Sequence, residues 1–300
     1  MSLFQVSIPI TGDQVDSLED LLFEVDDGHW NIFLDQDTQV GTAAGVYESE
    51  EIARGIWQLI APFFEDLLGE LEPTFEELAD TDWKDSYKLH FKPWTFEGLH
   101  WVPVWERDSY EVPEGDAVVW LDPGMAFGTG NHETTRLCIE ALIDYLKQLK
   151  RAEKSLTELT CCDAGCGSGI LAISAKQLGI GSVMGFDTDP DSIRISYENT
   201  ELNQLAGEVD YQVGDLNTGF RNQTYDLVFA NILAVVLIEF AEELVSAVNP
   251  GGRLILSGIL TIEARNVEHT FRRQLEESGR AGEFSRHELG EWSDVVIDLT

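Results

Sequence analysis

Positive charge is scarce in this sequence. Of 300 residues only 19 are Lys or Arg, against 55 Asp and Glu, which leaves a formal net charge of −36 at pH 7. Such a field repels phosphate backbones, so nonspecific binding of DNA or RNA is disfavoured and basic proteins or cationic groups become the favoured partners. An acidic surface kept for solubility in a salty cell accounts for the same numbers. Cysteine is scarce too. Cys138, Cys161, Cys162 and Cys166 fall within one short region, which is neither a disulfide framework nor the paired spacing of a zinc site, so reduced thiols and no metal are expected. Long apolar runs are missing: no window reaches the roughly 18 charge-free apolar residues of a membrane helix. The opening "MSLFQVSIPITGDQVDSLED" carries no positive segment of a leader. A soluble, cytoplasmic protein is expected, and no internal repeat or low-complexity tract interrupts it.

What is present is a globular composition, 43% hydrophobic and 25% charged, in a chain long enough for two domains. Residues 1–80 hold 19 Asp plus Glu and a single basic residue, Arg54. They read as strand "LFQVSIPI", helix "QVDSLEDLLFEV", strand "HWNIFLDQ", helix "SEEIARGIWQLIAPFFEDLLG" and strand "LEPTFEEL", an order that packs as a small α+β sandwich. Residues 81–100 form a connector, whose "TDWKDSYKLHFKP" has helical spacing and concentrates lysines and aromatics.

From residue 101 to residue 300 strands alternate with helices. "DAVVWLDPG", "LTCCDAG", "SVMGFDTD", "VDYQVGD", "YDLVFANI" and "GRLILSGI" are the strands. Helices are expected over 132–149, 170–178, 190–205, 237–248 and 264–278. Nearly continuous apolar strands in this alternation predict a mostly parallel sheet covered on both faces.

In such a sheet ligands bind beyond the carboxyl ends of the strands. "DAGCGSG", containing Gly165 and Gly167, occupies that position, but a dinucleotide spacing would need a glycine where Ile170 stands. Cys166 is read as a small residue filling the turn. Asp187 ends the next strand some twenty residues on, where a carboxylate can accept from two ribose hydroxyls. The loop and Asp187 thus point to a nucleoside. No second glycine fingerprint and no basic cluster is present for a pyrophosphate, so a nucleoside with a zwitterionic tail, S-adenosylmethionine, fits best.

Two further segments bear on this ligand. "LDPGMAFGTGNHETTR" places Gly124, Gly128 and Gly130 and the hydroxyls of Thr129, Thr134 and Thr135 before a helix, with Phe127 among them. It is suited to covering a ligand and offering amides to a carboxylate, or it is a turn capped by Thr134 that holds nothing. His132 is read as an ordinary loop histidine, not a catalytic one. Asn231 ends the strand "YDLVFANI" at the ligand rim. Its amide oxygen and the Ile232 carbonyl can accept an amine's N–H groups and aim the lone pair at a methyl sulfonium; helix capping is the plainer role.

With these pieces together the chain resembles the class I methyltransferases, and specifically the PrmA family, the ribosomal protein L11 methyltransferases. "DWKDSYKLHFKP", "LDPGMAFGTGNHETT", "DAGCGSGILAISAKQLG", "DTDPDSI", "ANIL" and "GGRLILSGIL" carry the resemblance over most of residues 82–260. It implies a Rossmann-like seven-stranded methyltransferase sheet after a small α+β domain that recognises the ribosomal protein. It also implies transfer of several methyl groups from S-adenosylmethionine to lysine and α-amino groups. Thr135, Gly165, Asp187 and Asn231 would be cofactor contacts, and Phe127, Gly128 and Gly130 would belong to a loop closing over it. Residues 1–80 resemble the family only in size and element order. Other readings stay open: methylation of a different substrate, an S-adenosylmethionine-binding ribosome assembly factor, or a nicotinamide-dependent oxidoreductase.

Overall fold

A computed structural model describes residues 3–15, 17–18, 21–22, 30–35, 40–69, 72–78, 93–122 and 132–300. The chain divides into two compact units, Met1–His90 and Phe91–Thr300. The expected helical connector over 81–93 lies almost wholly outside the described residues, as does half of the first expected helix, 14–25.

The first unit is a four-stranded antiparallel sheet in the order β2-β3-β1-β4, built from β1 (Leu3–Thr11), β2 (Trp30–Asp35), β3 (Val40–Tyr47) and β4 (Thr74–Leu78). Alternation along β1 sends Val6, Ile8 and Ile10 to the core, where they meet Ala53, Trp57, Ile60 and Phe64 of helix α1 (Glu50–Leu68). β3 was not expected from the sequence, because "VGTAAGVY" is rich in residues depleted from strands. The packing explains them: the Trp30 ring lies across Gly45, where a Cβ would come within 2.7 Å of it. The Trp30 indole N–H donates to Tyr47 Oη at 2.8 Å. Helix α1 carries a second apolar stripe, Ile52, Leu59, Phe63 and Leu67, which is 40–69% exposed.

The second unit opens with a three-stranded sheet, β5 (Trp94–Phe96), β6 (Leu99–Pro103) and β7 (Ala117–Leu121). β7, the "DAVVWLDPG" strand, was expected in the main sheet and instead pairs with β6. Its other edge is occupied by amide side chains of a later helix: Asn203 exchanges hydrogen bonds with the Trp120 backbone at 2.8 and 2.7 Å, and Asn199 accepts from Asp122 N at 3.0 Å. Helix α2 (Glu133–Arg151) follows.

The main sheet comprises β8 (Thr160–Ala164), β9 (Ser182–Asp187), β10 (Val209–Val213), β11 (Tyr225–Asn231), β12 (Val248–Leu260), β13 (Gly282–Ser285), the short β14 (Glu288–Leu289) and β15 (Trp292–Leu299). Along its main path the order is β10-β9-β8-β11-β12-β15-β13, with β14 paired to β15. β10 through β12 run parallel, while β15 pairs antiparallel with both β12 and β13. Helices α3 (Ile170–Gln177) and α4 (Pro190–Leu202) join α2 over one face. Helices α5 (Ala234–Glu239), α6 (Ala241–Ser246) and α7 (Ala264–Glu277) cover the other. The single helix expected over 237–248 is therefore two short ones. Phe240, with φ −106° and ψ 29°, leaves helical geometry between them, and Val248 already belongs to β12. The 190–205 helix stops at Leu202, where Asn203 turns its side chain to β7.

The chain leaves β8 towards β9 and β10, then returns to β11 on the opposite side of β8. This reversal opens a crevice beyond the carboxyl ends of β8 and β11, where open α/β sheets hold their ligands.

Candidate active site

The loop after β8 is locked to the neighbouring strand. Gly165 N and Cys166 N donate to the Phe186 carbonyl at 2.8 and 3.0 Å. Ser196 Oγ, from α4, donates to the Gly167 carbonyl at 2.8 Å. Asp187, at the end of β9, accepts from Gly167 N through Oδ2 at 2.9 Å and from Asp189 N through Oδ1 at 3.0 Å. An ionised carboxylate has about four lone-pair sites, so both oxygens keep capacity for a ligand's hydroxyls. Cys166 is buried against Ser196 Oγ at 3.6 Å. Burial raises all four thiols well above the usual cysteine range, which removes them as nucleophiles.

Gly165, Gly167, Asp187 and Asn231, all predicted site residues, line one cavity of about 600 Å³. That volume suits a nucleoside-sized ligand. Thr135 is buried and is not among the lining residues; Thr134 and His132 take that part of the wall. The helix phase explains the difference. His132 is the N-cap of α2, its Nδ1 accepting from Thr134 N at 3.3 Å, and Thr135 N turns back to the His132 carbonyl at 3.1 Å. Capping therefore falls to His132 and not to Thr134. Phe127, Gly128 and Gly130, with Gly124 and Thr129, lie outside the described residues.

Several lining residues were not singled out from the sequence. Asp215, beyond the end of β10, accepts from Thr218 Oγ1 at 2.7 Å, Thr218 N at 2.9 Å and Asn217 N at 3.1 Å, and these bonds hold its carboxyl below the usual range. It stands as a second carboxylate beside Asp187 in the wall. A carboxylate directly after an apolar strand was the available signal. Trp292, from β15, stacks edge-on with His132 at 4.9 Å and lines the cavity with it. Phe240 and Val236 bring an apolar lining from α5 and the turn after it.

Two further groups set the electrostatics. Asp163, on β8 beneath the glycine loop, accepts from Ala172 N at 3.1 Å, and burial pushes its carboxyl up to about 7. Asn231 ends β11 beside Ser257 of β12, and its Oδ1 is buried without a hydrogen-bond partner. An unsatisfied buried acceptor is costly unless something brings it a donor, and here it adjoins a ligand-sized cavity. A glycine cradle, two carboxylates and an orphan acceptor lining one cavity fit an adenosyl group with a cationic centre and an incoming amine. No group of three or more His, Cys, Asp or Glu able to hold a metal exists among the described residues.

Comparison with known proteins agrees with this geometry. The family model described as ribosomal protein L11 methyltransferase (PrmA) matches residues 6–296. The ribosomal protein L11 methyltransferase of Citrifermentans bemidjiense is 37% identical over 277 residues, 86% of this chain and 87% of that protein. That of Geobacter sulfurreducens is 44% identical over 226 residues, 75% of this chain and 68% of that protein. Among solved structures, the ribosomal protein L11 methylase from Lactobacillus delbrueckii subsp. bulgaricus superposes with a TM-score of 0.57 at 33% identity, over 68% of this chain and 96% of that one. The chain belongs to the PrmA family of ribosomal protein L11 methyltransferases.

Proposed function

We propose that this protein methylates lysine and α-amino groups of ribosomal protein L11 with S-adenosylmethionine as donor, and that Asn231 is the residue holding the acceptor nitrogen. The buried Asn231 Oδ1 without a partner carries this assignment, since an amine N–H is the donor it lacks. When bound, the donor supplies a methyl group made electrophilic by its sulfonium. Asp187 and the Gly165–Gly167 loop hold the nucleoside end, with Thr134 and His132 lining the same cavity. Asn231 Oδ1 and the Ile232 carbonyl accept two N–H groups, which turns the nitrogen lone pair towards the reacting methyl. The apolar wall of Val236 and Phe240 excludes water around the amine.

A lysine must arrive neutral, against an ordinary pKa near 10.4. The proton leaves to bulk water before the amine docks, so the rate rises with pH towards 10. A flat profile from about pH 7 to 10 contradicts this.

Residues 1–80 serve as the recognition domain. Their 19 carboxylates against Arg54 favour a basic partner, and the exposed stripe of Ile52, Leu59, Phe63 and Leu67 supplies an apolar platform within that field. A second copy of this acidic unit is repelled, which leaves the ribosomal protein as the occupant. The same field disfavours nucleic acid as a direct ligand. Such a substrate places the protein in the cytoplasm; among the described residues no helix is long and apolar enough to cross a membrane.

The test is the intact mass of ribosomal protein L11 after incubation with enzyme and S-adenosylmethionine, beside Asn231→Ala. Gains in steps of about 14 Da that vanish in the variant support the reading. Cofactor binding without any gain overturns it in favour of a binding role.

A further inference from the structure

Ile232, the residue after Asn231, is clasped between two glycines. At Gly165, with φ +76°, a Cβ would lie 2.5 Å from Ile232 Cγ2. At Gly258, with φ +78°, it would lie 2.5 Å from the Ile232 carbonyl oxygen, 2.9 Å from its carbon and 3.1 Å from its nitrogen. The first is an approach to the end of a side chain, which can move. The second is an approach to the peptide group itself, which cannot move without carrying Asn231 along.

Gly258 reaches that place through a bulge. Between Leu256 and Ile259 three steps along β12 match two along β15, so one extra residue is accommodated on β12. The residue just before Gly258, Ser257, pairs with Asn231 across the parallel ladder. The bulge therefore sets a residue without a side chain directly against the peptide that follows Asn231. Gly258, Asn231 and Ile232 all line the cavity.

We infer that Gly258 is a positioning residue for methyl transfer: its missing side chain keeps the Ile232 carbonyl in place and open to an amine N–H. This rests on the reading that Asn231 and Ile232 hold the acceptor nitrogen. Any Cβ at position 258 displaces the acceptor pair while leaving Asp187 and Gly167 untouched. Misplacement by about 1 Å at reacting groups lowers rates on the order of 100-fold. Catalysis should fall and cofactor affinity should not.

Gly251 supplies the control. It lies on the same strand with φ +77°, yet a Cβ there meets nothing within 4 Å. Substitution at 251 imposes the left-handed backbone strain alone, whereas substitution at 258 imposes it together with the displacement of Ile232. The experiment compares Gly258→Ala, Gly258→Asn, Gly251→Ala and Gly251→Asn in the full chain. Asn adopts the left-handed region more readily than Ala, so Gly258→Asn keeps the test open if Gly258→Ala does not fold. Melting temperature, calorimetric affinity for S-adenosylhomocysteine, and kcat and KM for ribosomal protein L11 are measured on each.

The 258 variants are expected to lose about 100-fold in kcat, with KM and S-adenosylhomocysteine affinity within about threefold of wild type. The 251 variants should melt lower but keep kcat within about twofold. A folded Gly258→Asn enzyme with wild-type kcat overturns the inference. So does a loss of S-adenosylhomocysteine affinity in proportion to kcat, or failure of both 258 variants to fold while both 251 variants fold. Asn231→Ala, run alongside, separates the two levels. If it retains full transfer, the amine assignment itself is wrong; if it is inactive while Gly258→Asn behaves as wild type, only the role of Gly258 is refuted.

Discussion

The two units of the chain use carboxylates in opposite ways. In the second unit each acidic group at the site is tied to named partners: Asp187 to Gly167 N and Asp189 N, Asp215 to Thr218 and Asn217, Asp163 to Ala172 N. Moving any of them by a fraction of an ångström breaks a bond. In residues 1–80 carboxylates are numerous, and the one basic residue there, Arg54, is engaged by Glu50 at 2.8 Å. On the proposed function the charges there act as a field around the exposed face of α1, one unit working through position and the other through summed charge and apolar area, so the two should fail differently when altered.

The sharpest break of this contrast is Asn231→Ala. It should lower kcat by about 10²- to 10³-fold while cofactor affinity changes little, as read by intact mass and calorimetry. Its melting temperature should hold or rise, because a buried acceptor without a partner is removed. Asp187→Ala should act on binding instead. Two hydrogen bonds to a charged acceptor, at about 1.5–3 kcal/mol each, imply roughly 10²-fold or greater weakening of S-adenosylhomocysteine, measurable by calorimetry.

In the first unit a paired Leu59→Asp and Phe63→Asp change should raise KM for ribosomal protein L11 about tenfold, leaving kcat and cofactor affinity unaltered. An equal fall in kcat would place that face in catalysis and erase the contrast. Salt should distinguish the units as well. Raising ionic strength from about 0.05 to 0.5 M shortens the Debye length severalfold, so KM for the protein substrate should climb while affinity for S-adenosylhomocysteine, which is neutral overall, stays nearly level.

The smallest effect concerns Asp163, whose carboxyl is raised by burial to about 7 in the folded chain. A raised folded value means that its stabilising contribution is full below pH about 4 and is lost as pH rises through about 7. Asp163→Asn removes that dependence. The melting temperature of the variant relative to wild type should therefore increase between pH 4 and 7 and level off above 8.

Much of the site was legible because its chemistry requires particular residue types at strand ends: Gly165 and Gly167 after β8, Asp187 ending β9, Asn231 ending β11. Each sits next to an apolar strand that marks the place. Trp292, Phe240 and Gly258 carry no such mark. They reach the cavity through long-range pairing, Gly258 through a bulge that depends on β15. The small sheet was missed because β5 and the start of β6 fall where a connector was read, and the edge of β7 is closed by Asn199 and Asn203, whose amides look in sequence like ordinary helix surface. The apolar run around Phe240 reads equally as one helix or two, and only the backbone angles at that residue decide.

β15 occupies the gap between β12 and β13, although it is synthesised after both. Until residues 292–299 have left the ribosome, β12 presents a bare edge of unpaired amides and carbonyls, and the Trp292 side of the cavity does not exist. The closed edge of β12 and the Trp292 part of the cavity thus depend on the strand that, among the described residues, the chain supplies last.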